Sequence, residues 1–188
     1  MPLVMLLVAA ILVGVAIFAA TAFTAWSRFR GRRVVVCPDD HRTAAVEVDA
    51  SGAAVSAMLG GKDLRLQSCS QWPEKEGCGQ ECLAQIQAAP EDTLVTSVLQ
   101  RWYTERQCVI CKLPIEFHTL EHRPAMMDLT RSDRPTIVWE QIDPTELPER
   151  LKTLAPVCWN CHIAETFRRT RPELVIDRPP HAGPAERL

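Results

Sequence analysis

Eight cysteines, at positions 37, 69, 78, 82, 108, 111, 158 and 161, are the residues of this 188-residue chain best suited to chemistry. They fall into two quartets. In the second, Cys108 and Cys111 form one C-x-x-C pair and Cys158 and Cys161 another, separated by a long segment. Two intervening residues let the backbone turn so that both sulfurs face one point, and two such pairs can surround a Zn²⁺ tetrahedrally. The later pair lies where a helix is expected to begin. A helix N-terminus lowers a thiol pKa, and the thiolate is the form that binds metal. The same stretch, CWNCH at 158–162, also spells the C-x-x-C-H attachment of a c-type haem, with His162 as one axial ligand and Met126 or Met127 as the other. Thiol redox or metal transfer at an exposed C-x-x-C is a third option.

The first quartet, Cys37, Cys69, Cys78 and Cys82, matches no standard finger spacing. Cys37 and Cys69 each end an expected strand, and Cys78 and Cys82 either lie one helical turn apart or straddle a helix start at Gly79-Gln80. Two strand ends meeting one helix start would make a second tetrahedral site, with His41 able to replace one thiolate. The reading is therefore two zinc ions, one per quartet, with haem c as the alternative cofactor.

Which of these chemistries applies depends on the compartment. Residues 1–27 carry no charged side chain, and Leu3 to Ala25 is almost unbroken Leu, Val, Ile, Ala, Met and Phe. About 20 such residues cross the ~30 Å hydrocarbon core of a bilayer as a helix. A buried core helix rarely reaches this length and purity. A cleaved signal peptide would want a positive charge ahead of a shorter apolar run, and there is none before it here, although the small residues Ala20, Ala22 and Ala25 leave cleavage open as an alternative. Arg28, Arg30, Arg32 and Arg33 follow the run, and basic flanks stay cytoplasmic. The expectation is a single-pass protein of the inner (cytoplasmic) membrane, anchored through residues 3–25, with its soluble part in the cytoplasm and its basic flank able to touch anionic lipid. Cytoplasmic thiols stay reduced, which favours metal over disulfide. Covalent haem attachment belongs to the outer face, which counts against haem.

The four arginines of 28–33 are part of a total of 21 Lys and Arg, so the remainder of the chain is acidic against 23 Asp and Glu. That balance weighs against nucleic acid as the main partner, without excluding a local basic face. No Gly-rich phosphate loop, G-x-S-x-G or H-E-x-x-H is present. Along the soluble part, strands are expected at 34–36, 44–49, 64–67 and 136–139. Helices are expected at 53–59, ended by Gly60-Gly61, and at 81–88, 92–106, 147–154 and from CWNCH to about Thr170. Trp102 and Tyr103 lie on the apolar face of the 92–106 helix and are expected in the core. Residues 172–188, rich in proline, read as a tail.

A C-x-x-C knuckle, a hairpin region and a C-x-x-C opening a helix resemble a treble-clef zinc finger. CVIC, LEHRPA and VCWNCH together are similar to the zinc-stapled HNH endonucleases. That resemblance covers about 108–170. It implies a zinc scaffold, with His122 at the position of a general base and His162 at a position near a catalytic metal. Glu121 stands where that group has Asp, and Thr166 where it often has a second helix histidine. The expectation is accordingly a scaffold rather than a nuclease. His118 and His122 are expected on a loop as ordinary polar residues. The stretch CSQWPEKEGCGQECLAQI resembles membrane-anchored, cysteine-rich bacterial proteins without an assigned function.

These readings combine into a small α+β protein: a transmembrane helix (1–27), a basic juxtamembrane segment (28–33), a first Cys-rich module (34–90), a treble-clef-like zinc module (91–171) and a Pro-rich tail (172–188). It would act as a structural or interaction module, docking on another protein or serving as an accessory subunit of a membrane complex.

Overall fold

The structure, a computed structural model, describes residues 2–115 and 125–175. In chain order the elements are α1 (Pro2–Phe29), β1 (Arg32–Val36), β2 (Thr43–Val48), α2 (Ala50–Met58), β3 (Leu66–Cys69), α3 (Leu83–Ala88), α4 (Pro90–Thr93), α5 (Val95–Tyr103), β4 (Ala125–Asp128), β5 (Thr136–Val138), α6 (Leu147–Thr153), β6 (Leu154–Val157) and α7 (Trp159–Thr170). Short 3₁₀ turns follow at Trp139–Gln141 and Pro172–Leu174. Mixed helices and two small antiparallel sheets make this an α+β protein. The chain divides into two compact units, residues 1–102 with 142–152, and residues 103–141 with 153–188.

The first unit begins with α1, which is long and apolar enough to cross a membrane and buries none of its residues in the protein. Gly31 ends it in a left-handed conformation (φ 96°), and a Cβ there would meet Leu94 Cδ1 at 3.1 Å, so glycine serves both the turn and the packing. β1, β2 and β3 then form an antiparallel sheet in that order. Alternation does what it should: Ala44, Val46 and Val48 of β2 point inward beside Val35 of β1, and Leu66, Cys82 and Ile86 close the core. Asp49 caps α2 by accepting a hydrogen bond from Gly52 N at 2.8 Å.

Arg33 departs from the sequence reading. It was expected in a basic membrane flank, yet its side chain is completely buried. Its guanidinium donates to the carbonyl oxygens of Arg28 and Pro90 and to Thr93 Oγ1. Arg28 O is one of the carbonyls left over at the C-terminus of α1, so Arg33 satisfies a helix end and ties it to α4. The helix expected over 92–106 is also interrupted. Leu94 is extended (φ −73°, ψ 122°) and forms an isolated antiparallel bridge with Arg33, which separates α4 from α5. A long-range backbone pairing here overrides local helical periodicity.

In the second unit, β5, β4 and β6 form an antiparallel sheet with β4 in the centre. β4 pairs with β6 from Ala125↔Val157 to Asp128↔Leu154, and with β5 from Ala125↔Val138 to Met127↔Thr136. Pro156 is accommodated because β6 is an edge strand. Cys108, Ala125 and Val157 form the fully buried centre, with Val109, Ile115, Met127, Cys158 and Cys161 packed around it. Tyr103 is buried as expected and donates its hydroxyl to Ala125 O at 2.7 Å.

Candidate metal centre

The sulfurs of Cys108, Cys111, Cys158 and Cys161 lie within 4.8 Å of one another. Two local devices bring them there. The first is the turn at Cys108–Cys111. Lys112 N donates to Cys108 O at 2.9 Å and Cys108 N donates to Leu113 O at 2.9 Å, closing the loop around the two sulfurs. Lys112 holds the left-handed conformation (φ 62°) that this closure needs. Val109 N donates to Pro156 O at 3.0 Å, which fastens the turn to β6. The second device is the start of α7. Cys158 occupies the N-cap with an extended backbone (φ −71°, ψ 157°), and its sulfur makes no capping bond. Cys161 lies in the first turn, and His162 N donates to Cys158 O at 3.0 Å.

The Cys111 and Cys158 sulfurs are 3.7 Å apart. A disulfide would need about 2.05 Å. Tetrahedral zinc with Zn–S bonds of about 2.3 Å has sulfur–sulfur edges of about 3.8 Å. The 3.7 Å separation is too long for a disulfide and close to the edge that a tetrahedral ion would need, and all eight cysteines are free thiols.

The electrostatics of the four thiols are uneven. Burial pushes Cys108 up, but backbone N–H groups of Cys111, Cys158 and Ile110 and the Cys111 thiol outweigh it and bring Cys108 down to about 7. Burial raises Cys158. Burial also raises Cys161 steeply, and the sulfurs of Cys158, Cys111 and Cys108 raise it further. One thiolate forms easily and discourages the rest. A divalent cation removes that mutual repulsion, and its binding would release protons.

His162 stands beside the cluster without belonging to it. Its Nδ1 is 2.9 Å from Thr136 Oγ1, its ring centroid is 5.3 Å from that of Trp159, and burial lowers its pKa. Met126 is a fully buried core residue of β4. His118, Glu121 and His122 lie outside the described residues.

The first quartet is drawn together less tightly. Cys37 directly follows β1 and Cys69 ends β3, at the expected strand ends; α3 begins only at Leu83, with Cys82 as its N-cap, so Cys78 and Cys82 both precede the helix instead of straddling its start. Burial raises Cys82 to about 11, and Cys69, Cys78 and Cys37 add to the rise. Among the described residues, however, only the second quartet has its ligand atoms within 4.8 Å of one another. Two groups near the first quartet were not singled out from the sequence. Lys75 Nζ donates to Cys37 Sγ at 3.8 Å while paired with Asp40 at 2.9 Å, and Gln71 N donates to Cys69 Sγ at 3.5 Å. Trp72 Nε1, on a side chain packed against the same core cluster as Cys69 and Cys82, is buried without a hydrogen-bond partner. Lys75 and Gln71 sit in a loop with no periodic pattern, so only their closeness in sequence to Cys69 and Cys78 could have pointed to them.

No family model matches this chain, and no match was found among curated proteins or solved structures. The site therefore stands on its own geometry.

Proposed function

We propose that this protein is a zinc-stapled module anchored in the inner membrane by α1, with its soluble part in the cytoplasm, docking onto another protein of a membrane complex. One Zn²⁺ is held by Cys108, Cys111, Cys158 and Cys161, and a second by Cys37, Cys69, Cys78 and Cys82. The observation that carries this reading is the convergence of four sulfurs from two distant segments to within 4.8 Å of one another, with Cys111 and Cys158 at 3.7 Å. Zinc there is structural: four protein ligands leave no open position for substrate. A knuckle, a β4–β5 hairpin and, after the inserted α6 and β6, a helix α7 that starts at the second C-x-x-C support a treble-clef reading. Support for the second ion is the donor chemistry alone: Gln71 N–H reaches Cys69 and the Lys75 ammonium, itself paired with Asp40, reaches Cys37, and the four sulfurs would have to draw together on binding.

Haem attachment fits less well, because it would need Cys158 and Cys161 to leave the sulfur cluster and His162 to turn from Thr136. The apolar surface of α7 supports docking to protein: Ile163 and Phe167, four residues apart, are 50% and 46% exposed. Exposure of Cys111 favours a second reading, metal transfer or thiol redox at the same cluster. Rapid alkylation of Cys111 in the native protein would support that second reading, and protection would support the structural one.

The test is a metal count on the full chain purified in mild detergent. Two zinc per chain are expected, falling to one in Cys161→Ser and to one in Cys82→Ser. A metal-free protein with an unchanged melting curve would overturn the proposal.

A further inference from the structure

The segment from Ala50 to Gly61 contains no charged residue, although Asp49 and Lys62 bound it on either side. It forms α2, whose inward face is Ala50, Ala53 and Ala54. Ser51 and Ala54, both small, are the α2 residues that lie beside the C-terminal half of α1. A shallow groove between the two helices is lined by Ala19, Ala22, Phe23 and Trp26 of α1 and by Ser51 and Ala54 of α2.

The depth of that contact follows from α1. At 1.5 Å per residue its 28 residues are about 42 Å long, more than the ~30 Å hydrocarbon core, so its last turns reach the lipid headgroups. Trp26 is an interface residue by type, and the guanidinium of Arg30 lies 4.6 Å from its ring centroid. Ala19 lies about 10 Å further into the bilayer along the same axis. A helix packed along Ala19–Trp26 therefore occupies the outermost ~10 Å of the leaflet, the depth at which interfacial helices lie.

The outward side of α2 suits that position. Val55 is 52% exposed and Leu59, just past the helix end, is 82% exposed, four residues apart on one side. In water these would be poor choices; in the acyl–headgroup boundary they are good ones. Arg28 and Arg30 at the end of α1 offer charge to anionic headgroups, while Arg32 is paired with Glu47 at 3.5 Å. The β1–β2 register places Glu47 against Arg32, so the chain leaves the sheet for α2 at the end where α1 enters it.

We infer that α2 is a second membrane-contacting element, lying in the lipid interface alongside α1 with Val55 and Leu59 in contact with lipid. The inference rests on reading α1 as a membrane span. It makes the attachment a two-helix foot, which fixes the rotation of the first unit about α1 as well as its height.

The test uses the full chain in phosphatidylcholine vesicles containing phosphatidylglycerol. A nitroxide is carried on a genetically encoded ketone residue, so that the cysteines are untouched, at Val55, Leu59, Ile11 or Lys152 in turn. Power saturation compares oxygen with a water-soluble nickel chelate. Labels at 55 and 59 should show an oxygen-to-nickel accessibility ratio several-fold above that at 152, and below that at 11. If 11 reads as lipid while 55 and 59 read as water, the inference fails and the span stands. If 11 also reads as water, both fail. Labels at 55 and 59 shielded from both reagents would mean that protein, a partner or a second copy, covers the face, and would overturn the lipid assignment.

Discussion

Lys112 shows how much of the candidate metal centre is backbone chemistry. It follows Cys111 directly and adopts φ 62°, where an L side chain costs about 1–2 kcal/mol and glycine costs little. Lys112→Gly should raise the stability of the second unit by about 0.5–1 kcal/mol, since glycine's larger unfolded-state entropy offsets part of the gain. Lys112→Val should lower it by about as much or more. Denaturant unfolding of the zinc-loaded chain checks both. Tyr103 tests the floor of the same unit. Tyr103→Phe removes the donor to buried Ala125 O and should cost about 1–2 kcal/mol without changing zinc content. The paired C-x-x-C units were legible in the sequence because each is a local device: two intervening residues decide where both sulfurs point. Lys112 and Thr136 were not, since a positive φ at lysine and a hydroxyl facing His162 leave no mark on residue type.

At the scale of elements, Arg33 is the decisive side chain of the first unit. It reads in sequence as one more cation beside a membrane helix, and in the fold it is a buried strut between Arg28, Pro90 and Thr93. Burial pulls its pKa down, with nearby Glu91 opposing. Arg33→Met should destabilise the first unit by about 3 kcal/mol, because three acceptors lose a charged donor at once. Arg33→Lys should rescue little, as one ammonium cannot reproduce the planar fork. Unfolding of the full chain in detergent, followed by tryptophan fluorescence, measures both. The same residue explains why 92–106 could not be read correctly: Leu94 pairs with Arg33 from far away in sequence, and no local window contains that information. β4 and β6 escaped for a related reason. Ala125–Asp128 and Leu154–Val157 are four residues each, the latter holding Pro156, and only their mutual pairing makes them strands. The strands 34–36 and 44–49, by contrast, were legible from their β-branched alternation, and appear within one or two residues of the expected limits.

At the scale of the whole molecule, the apolar helix, the basic turn after it and the one sulfur cluster among the described residues fit the proposed membrane-anchored metal module. With Arg33 internal, the arginines left to fix orientation are Arg28, Arg30 and Arg32. A fluorescent protein fused after Leu188 should light up in cells and an alkaline phosphatase fused there should stay inactive. The reverse pattern would place the sulfurs outside and reopen haem or disulfide chemistry. The central claim is the tetrathiolate zinc centre, and X-ray absorption at the zinc edge of the full chain tests it most directly. The account predicts bound zinc with a first shell of sulfur alone at about 2.3 Å. Zinc ligated mainly by nitrogen or oxygen, or a preparation that retains no zinc yet folds, would contradict it.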